Sequence, residues 1–469
     1  MKKIFYSLAI VSAAVFSSCE DFLDKEPILN MSPAAVFSTH DRMEAAVKAV
    51  YTQFKENSFI GSKAYACIEN MGDEMLNVSD NGIEATYSYF MTVGMDTQDN
   101  YQTWDGAYRA INSANTALEN IEANKEVAGA DYDRFIQELK FTRALAYFYL
   151  NFFYAQPYTV KHPALSVPLR LVAENSTANN DLARATNEEV FAQILEDTKD
   201  YSALPSKGAS YNSITRASQA AVLLLRMRVY MNMENWGEAI KCGEAIKLMG
   251  YSLAGAVADC FRSDAACPES VFSFPYDSTN KGGGFQSAAC YFYANGRSLV
   301  FDRESGIYSP LNANYNVEAD ARVGQLVKQH ANGNYISLKY TDNVNYLDWC
   351  VLMRYSEVLL NLAECYANNN DDAKAKAELE AVRRRSIAAD ADPINISALS
   401  GAELKKAIIM ERRTEFVGEA IRALDIKRRG ENFVKLIGTP SEFTVTPSTT
   451  GYTWAIPSVE RANNKAIVD

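Results

Sequence analysis

Glu411, Glu415 and Glu419 stand four residues apart in IIMERRTEFVGEAIRALDIKRRG (408–430), with Arg412, Arg422, Asp425 and Arg428 beside them at helical spacings. Residues three and four apart are neighbours on a helix. The segment therefore predicts one continuous helix with an acidic ridge and pairs such as Glu419–Arg422. Two chemistries suit such a set. Carboxylates beside guanidinium groups have displaced pKa values and can serve acid–base catalysis. The same groups can tie the helix to its neighbours as an ion-pair network, with Arg383–Arg385 supplying partners, and this second use is the expectation here. Asp73 and Glu74 adjoin in MGDEML, where a ligand or ion contact competes with loop capping. Asp390 and Asp392 in AADADP could bind calcium, but a solvated loop is the expectation.

Other constellations are missing. The sequence contains no G-x-S-x-G, H-E-x-x-H, G-x-x-x-x-G-K-[ST] or G-x-G-x-x-G, the arrangements that carry acyl transfer, zinc proteolysis and phosphate binding. Gly282–Gly284 lacks a strand–helix context and reads as a flexible loop. A glycosidase needs two carboxylates roughly 5–10 Å apart across a sugar, and no pair stands out among the 58 acids. His40, His162 and His330 are scattered, and the cysteines show neither C-x-x-C nor Cys/His ligand spacing, so no zinc site is expected. Beyond Cys19 the cysteines are 67, 242, 260, 267, 290, 350 and 365. Cys260 and Cys267 are candidates to pair outside the cytoplasm, with buried free thiols as the alternative. The expectation is no catalytic set, no cofactor and no metal.

Composition narrows the partners. The 46 Lys+Arg against 58 Asp+Glu leave a net charge of −12, with no basic tract longer than three. An acidic surface repels phosphate backbones, so nucleic acid is not an expected partner. Aromatic residues are plentiful, with 27 Tyr, 22 Phe and 4 Trp. A ring face with a polar tip suits a wet binding surface.

The N-terminus reads as an address. Lys2 and Lys3 precede an apolar run from Ile4 to Phe16, too short to span a bilayer. Ser17 and Ser18 then precede Cys19. Small-small-Cys after such a run resembles a lipoprotein signal, with Cys19 acylated and several chains giving a stable membrane anchor. The expected layout is a signal peptide at 1–18, a lipid-anchored tether at 19–34 and a body at 35–469.

Helical periodicity organises the body. It predicts helices at 43–54, 101–121 and 135–155. The last is apolar nearly all round in its second half, so it should be central. Another helix is expected over 188–205. Residues 217–250 and 355–385 each read as helix, short turn, helix, like single tetratricopeptide units that must stack to bury a face. Residues 251–345 between them lack such periodicity. Ten aromatics fall within 271–315, about twice the chain average of 11%. An irregular segment of that kind in a folded body is usually functional.

Several motifs, in order, carry a resemblance. They are Cys19 with Asp21, Phe22, Leu23 and Asp24; Arg143 to Leu150 followed by Val167 to Leu169; and Arg354 to Glu364 followed by Val382 to Arg385. Then come Glu411 to Gly430, and Trp454, Ile456, Pro457, Glu460 and Asn464. Together they resemble the SusD/RagB family of outer-membrane nutrient-binding lipoproteins. Ala420 departs from the glycine of that pattern, and Ala423 and Leu424 replace its aromatic. The resemblance implies an all-α dominated fold of four tetratricopeptide-like helix pairs with an irregular, loop-rich ligand-facing side. It implies a non-enzymatic receptor on the outer face of the outer membrane, partnered by a SusC-like TonB-dependent β-barrel transporter. The ligand would be a glycan or, in the RagB-like alternative, a peptide; a surface hydrolase or a scaffold are further alternatives. Sugars lay C–H faces on rings while polar groups hold hydroxyls. By region, the candidate site comprises Tyr276, Tyr291 and Tyr293, with Phe285 as a gate. Tyr87 and Tyr89 form an opposite wall, with Asn70, Asp73 and Arg297 as polar partners.

Overall fold

Four helix pairs make the frame in the computed structural model, which describes residues 33–55, 59–61, 63–78, 86–207, 214–261, 267–278, 299–303, 306–309, 318–342, 344–345 and 347–468. The principal helices are α1 (His40–Lys55), α2 (Lys63–Met71), α3 (Gln98–Ala123), α4 (Tyr132–Tyr154), α5 (Asn187–Asp197), α6 (Gln219–Asn232) and α7 (Trp236–Lys247). They continue as α8 (Tyr355–Asn368), α9 (Asp372–Arg383), α10 (Gly401–Phe416) and α11 (Arg422–Arg428). The pairs are α1 with α3, α4 with α5, α6 with α7 and α8 with α9. Helix α4 packs on α1, α3, α5 and α6 and is buried almost continuously from Phe135. Its all-round apolar second half leaves it no solvent face.

The two predicted tetratricopeptide-like units share one turn design. Glu234 and Asn370 adopt φ of 55° and 59°, and each is followed by an N-cap. The Asn235 and Asp371 side chains accept from the Glu238 and Lys374 backbone N–H groups at 3.3 and 3.2 Å. Capping of this kind satisfies an orphan donor of the new helix. More than a hundred residues apart in sequence, the units nevertheless stack, α7 against α8. Gly243 permits it: a Cβ there would lie 2.7 Å from Leu362.

Two boundaries differ from the periodicity. Helix α5 ends at Asp197, well before Pro205. The predicted helix over 408–430 is broken into α10 and α11. Gly418 and Ala420 take φ of 80° and 55° between them. The Glu69 carboxylate stabilises this turn, accepting from the Gly418 and Ala420 N–H groups at 2.9 and 2.8 Å. Ala420 thus occupies a left-handed position that suits glycine. The break also separates Glu419 from Arg422, whose guanidinium turns to Asp73.

The acidic ridge is buried and fully engaged. Glu411 accepts from Arg322 and Arg383, both at 2.7 Å. Glu415 takes Arg322 at 2.9 Å and Arg354 and Arg385 at 2.5 Å. Glu419 binds Arg354 at 2.7 Å and also Lys339. Glu269, Asp320 and Asp392 complete the set, so six cations (Arg322, Lys339, Arg354, Arg383, Arg384, Arg385) meet six carboxylates, and the Asp392 carboxylate is buried here by its two arginines instead of solvated as expected. Charges taken from water persist only when paired in this way. A second cluster joins Arg412 and Arg428 to Asp425, with Arg428 also on Glu364. The network role expected for this segment is therefore the observed one, with Arg383–Arg385 as partners.

Short antiparallel strand pairs occupy the region between and after the helix pairs. They are β1 (Met75–Asn77) with β3 (Leu299–Phe301) and β2 (Ser270–Phe274) with β6 (Cys350–Arg354). The other two are β4 (Val327–Gln329) with β5 (Tyr335–Ser337) and β7 (Phe433–Lys435) with β8 (Phe443–Val445). The β2–β6 pair is buried at every position and anchors the aromatic segment to the helical core. No described helix is long and apolar enough to cross a membrane. Cys19 and the 1–32 segment lie outside the described residues.

Candidate functional site

The β1–β3 pair brings two distant parts of the sequence to one place. Met75 lies opposite Phe301 and Asn77 opposite Leu299. The chain leaving Asn77 toward Tyr87 and the chain arriving at Leu299 therefore share one end of the pair. At the other end sit the two adjoining acids. Arg422 clamps Asp73 with two hydrogen bonds, at 2.6 and 2.7 Å. Arg413 holds Glu74, whose second oxygen accepts from the Ile307 N–H at 2.7 Å. Burial pushes the Asp73 carboxyl up, but Arg422, Arg413 and Lys435 outweigh it and hold it well below the usual range. Burial raises Glu74, with the Asp73 charge adding to the rise. These acids are the footing of the strand pair, not its open face.

The sequence candidates divide accordingly. Tyr276 is 2% exposed, and its hydroxyl donates to the Gly61 carbonyl at 2.7 Å. Asn70 is buried in α2. Tyr89 is buried, with the Lys435 ammonium 4.5 Å from its ring centre, and burial raises its hydroxyl pKa to about 12. Tyr276, Tyr89, Asn70 and Asp73 thus pack or anchor where an open ring or polar wall was expected. Tyr87, on the same short helix as Tyr89 (Thr86–Tyr89), points the other way and is 46% exposed. Phe285, Tyr291, Tyr293 and Arg297 lie outside the described residues.

Tyr87 stands at a cleft of about 750 Å³ between residues 87–99 and 450–455. Thr92, Asp96, Gln98, Thr450 and Thr453 line it with polar groups. The two walls are tied from beneath. The buried Asn100 amide donates to Gly94 and Ala455 carbonyls, both at 2.9 Å, and its oxygen accepts from the Tyr154 hydroxyl at 2.8 Å. Gly451 (φ 96°) crosses so close that a Cβ would meet the Met91 carbonyl oxygen at 1.8 Å. Asp99, 2% exposed, pairs with Lys63 at 2.7 Å under the cleft.

Tyr87 is the aromatic residue that lines this cleft. Among the described residues, the aromatics more than a third exposed are Tyr87, Phe90 and Tyr101, at 46, 47 and 43%. Phe90 stacks on Phe443 of β8 with centres 6.1 Å apart. The described aromatics of 271–315 (Phe272, Phe274, Tyr276, Phe301 and Tyr308) are buried instead. Phe90 and Tyr101 were not singled out from sequence. The run ATYSYF offered a signal for Phe90; Tyr101 was hidden in the helical pattern of α3.

The cleft offers one exposed ring, Tyr87, with hydroxyl, amide and carboxylate groups along its walls, an arrangement suited to holding a ligand. Residues 21–231 match the family model described as starch-binding associating with outer membrane, and residues 268–466 match the SusD family model. A crystal structure of a SusD superfamily protein from Bacteroides fragilis is 42% identical, at a TM-score of 0.88, covering 92% of this chain and 100% of that one. The SusD-like protein P25 of Formosa agariphila is 22% identical over 88% of this chain and 87% of its own. Surface glycan-binding protein A from Bacteroides uniformis shares the fold at 18% identity and a TM-score of 0.70, covering 92% of this chain and 99% of its own. The chain belongs to the SusD family, a family of glycan-binding proteins associated with the outer membrane.

Proposed function

We propose that this protein is a surface lipoprotein, anchored through Cys19, that binds an oligo- or polysaccharide and delivers it to a SusC-like TonB-dependent transporter. The site is the cleft and mouth around Tyr87, with Phe90 and Tyr101 as further ring faces. Phe285, Tyr291, Tyr293 and Arg297, which precede β3 in the sequence and lie outside the described residues, are kept as candidate ligand contacts. Tyr276, Tyr89, Asn70 and Asp73 support this mouth from within. The observation that carries the reading is the exposed Tyr87 ring on the wall of a polar-lined cleft. Rings take the C–H faces of sugars, and Asp96, Gln98 and the threonines supply hydroxyl partners. Capture without turnover is its activity.

The test is calorimetric titration of residues 25–469 with starch, other polysaccharides and peptides, together with an assay for released reducing sugar. Binding of a polysaccharide with no sugar release supports the proposal. Selective peptide binding moves the receptor to the RagB-like alternative. Release of reducing sugar makes the protein a hydrolase. Co-purification of a β-barrel from the outer membrane checks the transporter, and mass spectrometry of Cys19 checks the lipid.

A further inference from the structure

One buried side chain spans the two walls of the Tyr87 cleft. Asn100, 0% exposed, stands in the first turn of α3. Its amide nitrogen donates to the Gly94 carbonyl on the Tyr87 side and to the Ala455 carbonyl on the other, both at 2.9 Å. Carbonyl oxygens only accept, so the nitrogen must face them and both amide hydrogens are used. The amide oxygen accepts from the Tyr154 hydroxyl at 2.8 Å. Both walls are thereby referred to one rigid helix.

Neighbouring contacts fix the same points. The Gly94 carbonyl also takes the Thr97 hydroxyl at 2.9 Å. Tyr154 meets Trp454 edge-on with ring centres 6.2 Å apart, and the Trp454 N–H donates to the Phe153 carbonyl at 2.8 Å. The far wall alternates between core and cleft. Tyr452, Trp454 and Ile456 are buried, while Gly451, Thr453 and Ala455 line the cleft. Thr453 therefore presents its side chain from this wall as Tyr87 presents its ring from the other.

From this clasp we infer that Asn100 is the positioning residue of the cleft, holding the 450–455 wall at a fixed distance from the Tyr87 wall so that Tyr87 and Thr453 engage one ligand. The inference rests on the reading of this cleft as the ligand site. Asn100 touches no ligand itself; it acts through the two walls. Asparagine suits the task because it offers two donors to two carbonyls, where a carboxylate would repel both.

Calorimetric titration of residues 25–469 with starch, or with whichever other polysaccharide binds the parent, is the test. Asn100→Asp keeps an oxygen for Tyr154 but turns a second oxygen on the two carbonyls, and it should weaken binding about tenfold. Tyr154→Phe releases the amide while leaving Asn100 in place, a gentler change for the fold, and should weaken binding roughly threefold. A general loosening of the fold would leave the two walls acting together, so the decisive readout is their coupling. In the parent, Tyr87→Ala and Thr453→Val should combine to a loss that differs from the product of the single losses by at least about twofold. In the Asn100→Asp and Tyr154→Phe proteins the two losses should simply multiply. Coupling that persists in both, or a Thr453→Val protein that binds like the parent, overturns the inference and leaves the cleft as the site. Tyr87→Ala without effect, or a parent that binds no polysaccharide, overturns the reading of the cleft and the inference with it.

Discussion

Asn77 lies directly opposite Leu299, and this register joins two strands more than two hundred residues apart in sequence. Tyr87 follows the first segment, and Tyr291 precedes the end of the second. If both rings contact one ligand, their truncations will not add. Tyr87→Ala and Tyr291→Ala should each weaken binding by about 1–2 kcal/mol. The double variant should depart from the sum by more than about 0.5 kcal/mol. Strict additivity in a double-mutant cycle would place the rings in separate sites.

Ala420 sits where the family pattern has glycine, at φ 55° and 3% exposed. A left-handed alanine costs roughly 1–2 kcal/mol. Glycine adds roughly 0.4–1 kcal/mol of unfolded-chain entropy. The strain is the larger effect, so Ala420→Gly should stabilise the protein by about 0.5–1 kcal/mol. Urea midpoints of the two proteins measure the difference. A variant no more stable than its parent would mean that the turn bears no strain.

Acid should dismantle the buried network. Burial pushes the Glu415 carboxyl up, but Arg385, Arg354 and Arg322 hold it well below its ordinary 4.5. A carboxyl lowered on folding contributes stability that is present above its unfolded pKa and is lost as pH falls below it. Stability should therefore drop below about pH 4.5. Glu415→Gln leaves buried guanidinium groups uncompensated and should cost about 3–5 kcal/mol at pH 7. The variant's acid transition should also be shallower. A loss under 1 kcal/mol, read from denaturant curves, would show the network to be dispensable.

Lys427 has a linkage of the same sign in a higher pH window. Burial lowers its pKa from 10.5 to about 7, and its ammonium donates to the Phe152 carbonyl beside the rings of Phe152 and Tyr452. Between those values the unfolded chain binds a proton that the folded chain has released. Stability attributable to Lys427 therefore rises from pH 7 toward 10.5. Lys427→Met removes that slope and should raise the melting temperature more at pH 6 than at pH 9. Parallel melting curves for the two proteins across this range would refute the buried cation.

The frame was legible in the sequence because its signals are local and redundant. The α6–α7 and α8–α9 units combine apolar periodicity with an Asx cap, and each reads correctly by itself. The Glu411–Glu419 ridge also read correctly as a network, since its arginine partners lie at Arg383–Arg385. Its break at 417–421 did not, because the four-residue spacing runs on through the turn. Glu69, some 350 residues away, stabilises the left-handed residues there. Ring exposure was the least legible feature. Aromatic enrichment in 271–315 partly reflects packing around β2–β6, where Phe272 and Phe274 are fully buried. Tyr87 and Tyr89 are two residues apart, yet one faces the cleft and the other the core.

Titration of residues 25–469 and its Tyr87→Ala variant with a polysaccharide that the parent binds tests the central claim most directly. The account predicts binding by the parent without sugar release, and affinity reduced roughly tenfold in the variant at an unchanged melting temperature. Equal affinity in the two proteins would contradict it and remove the cleft from the binding site.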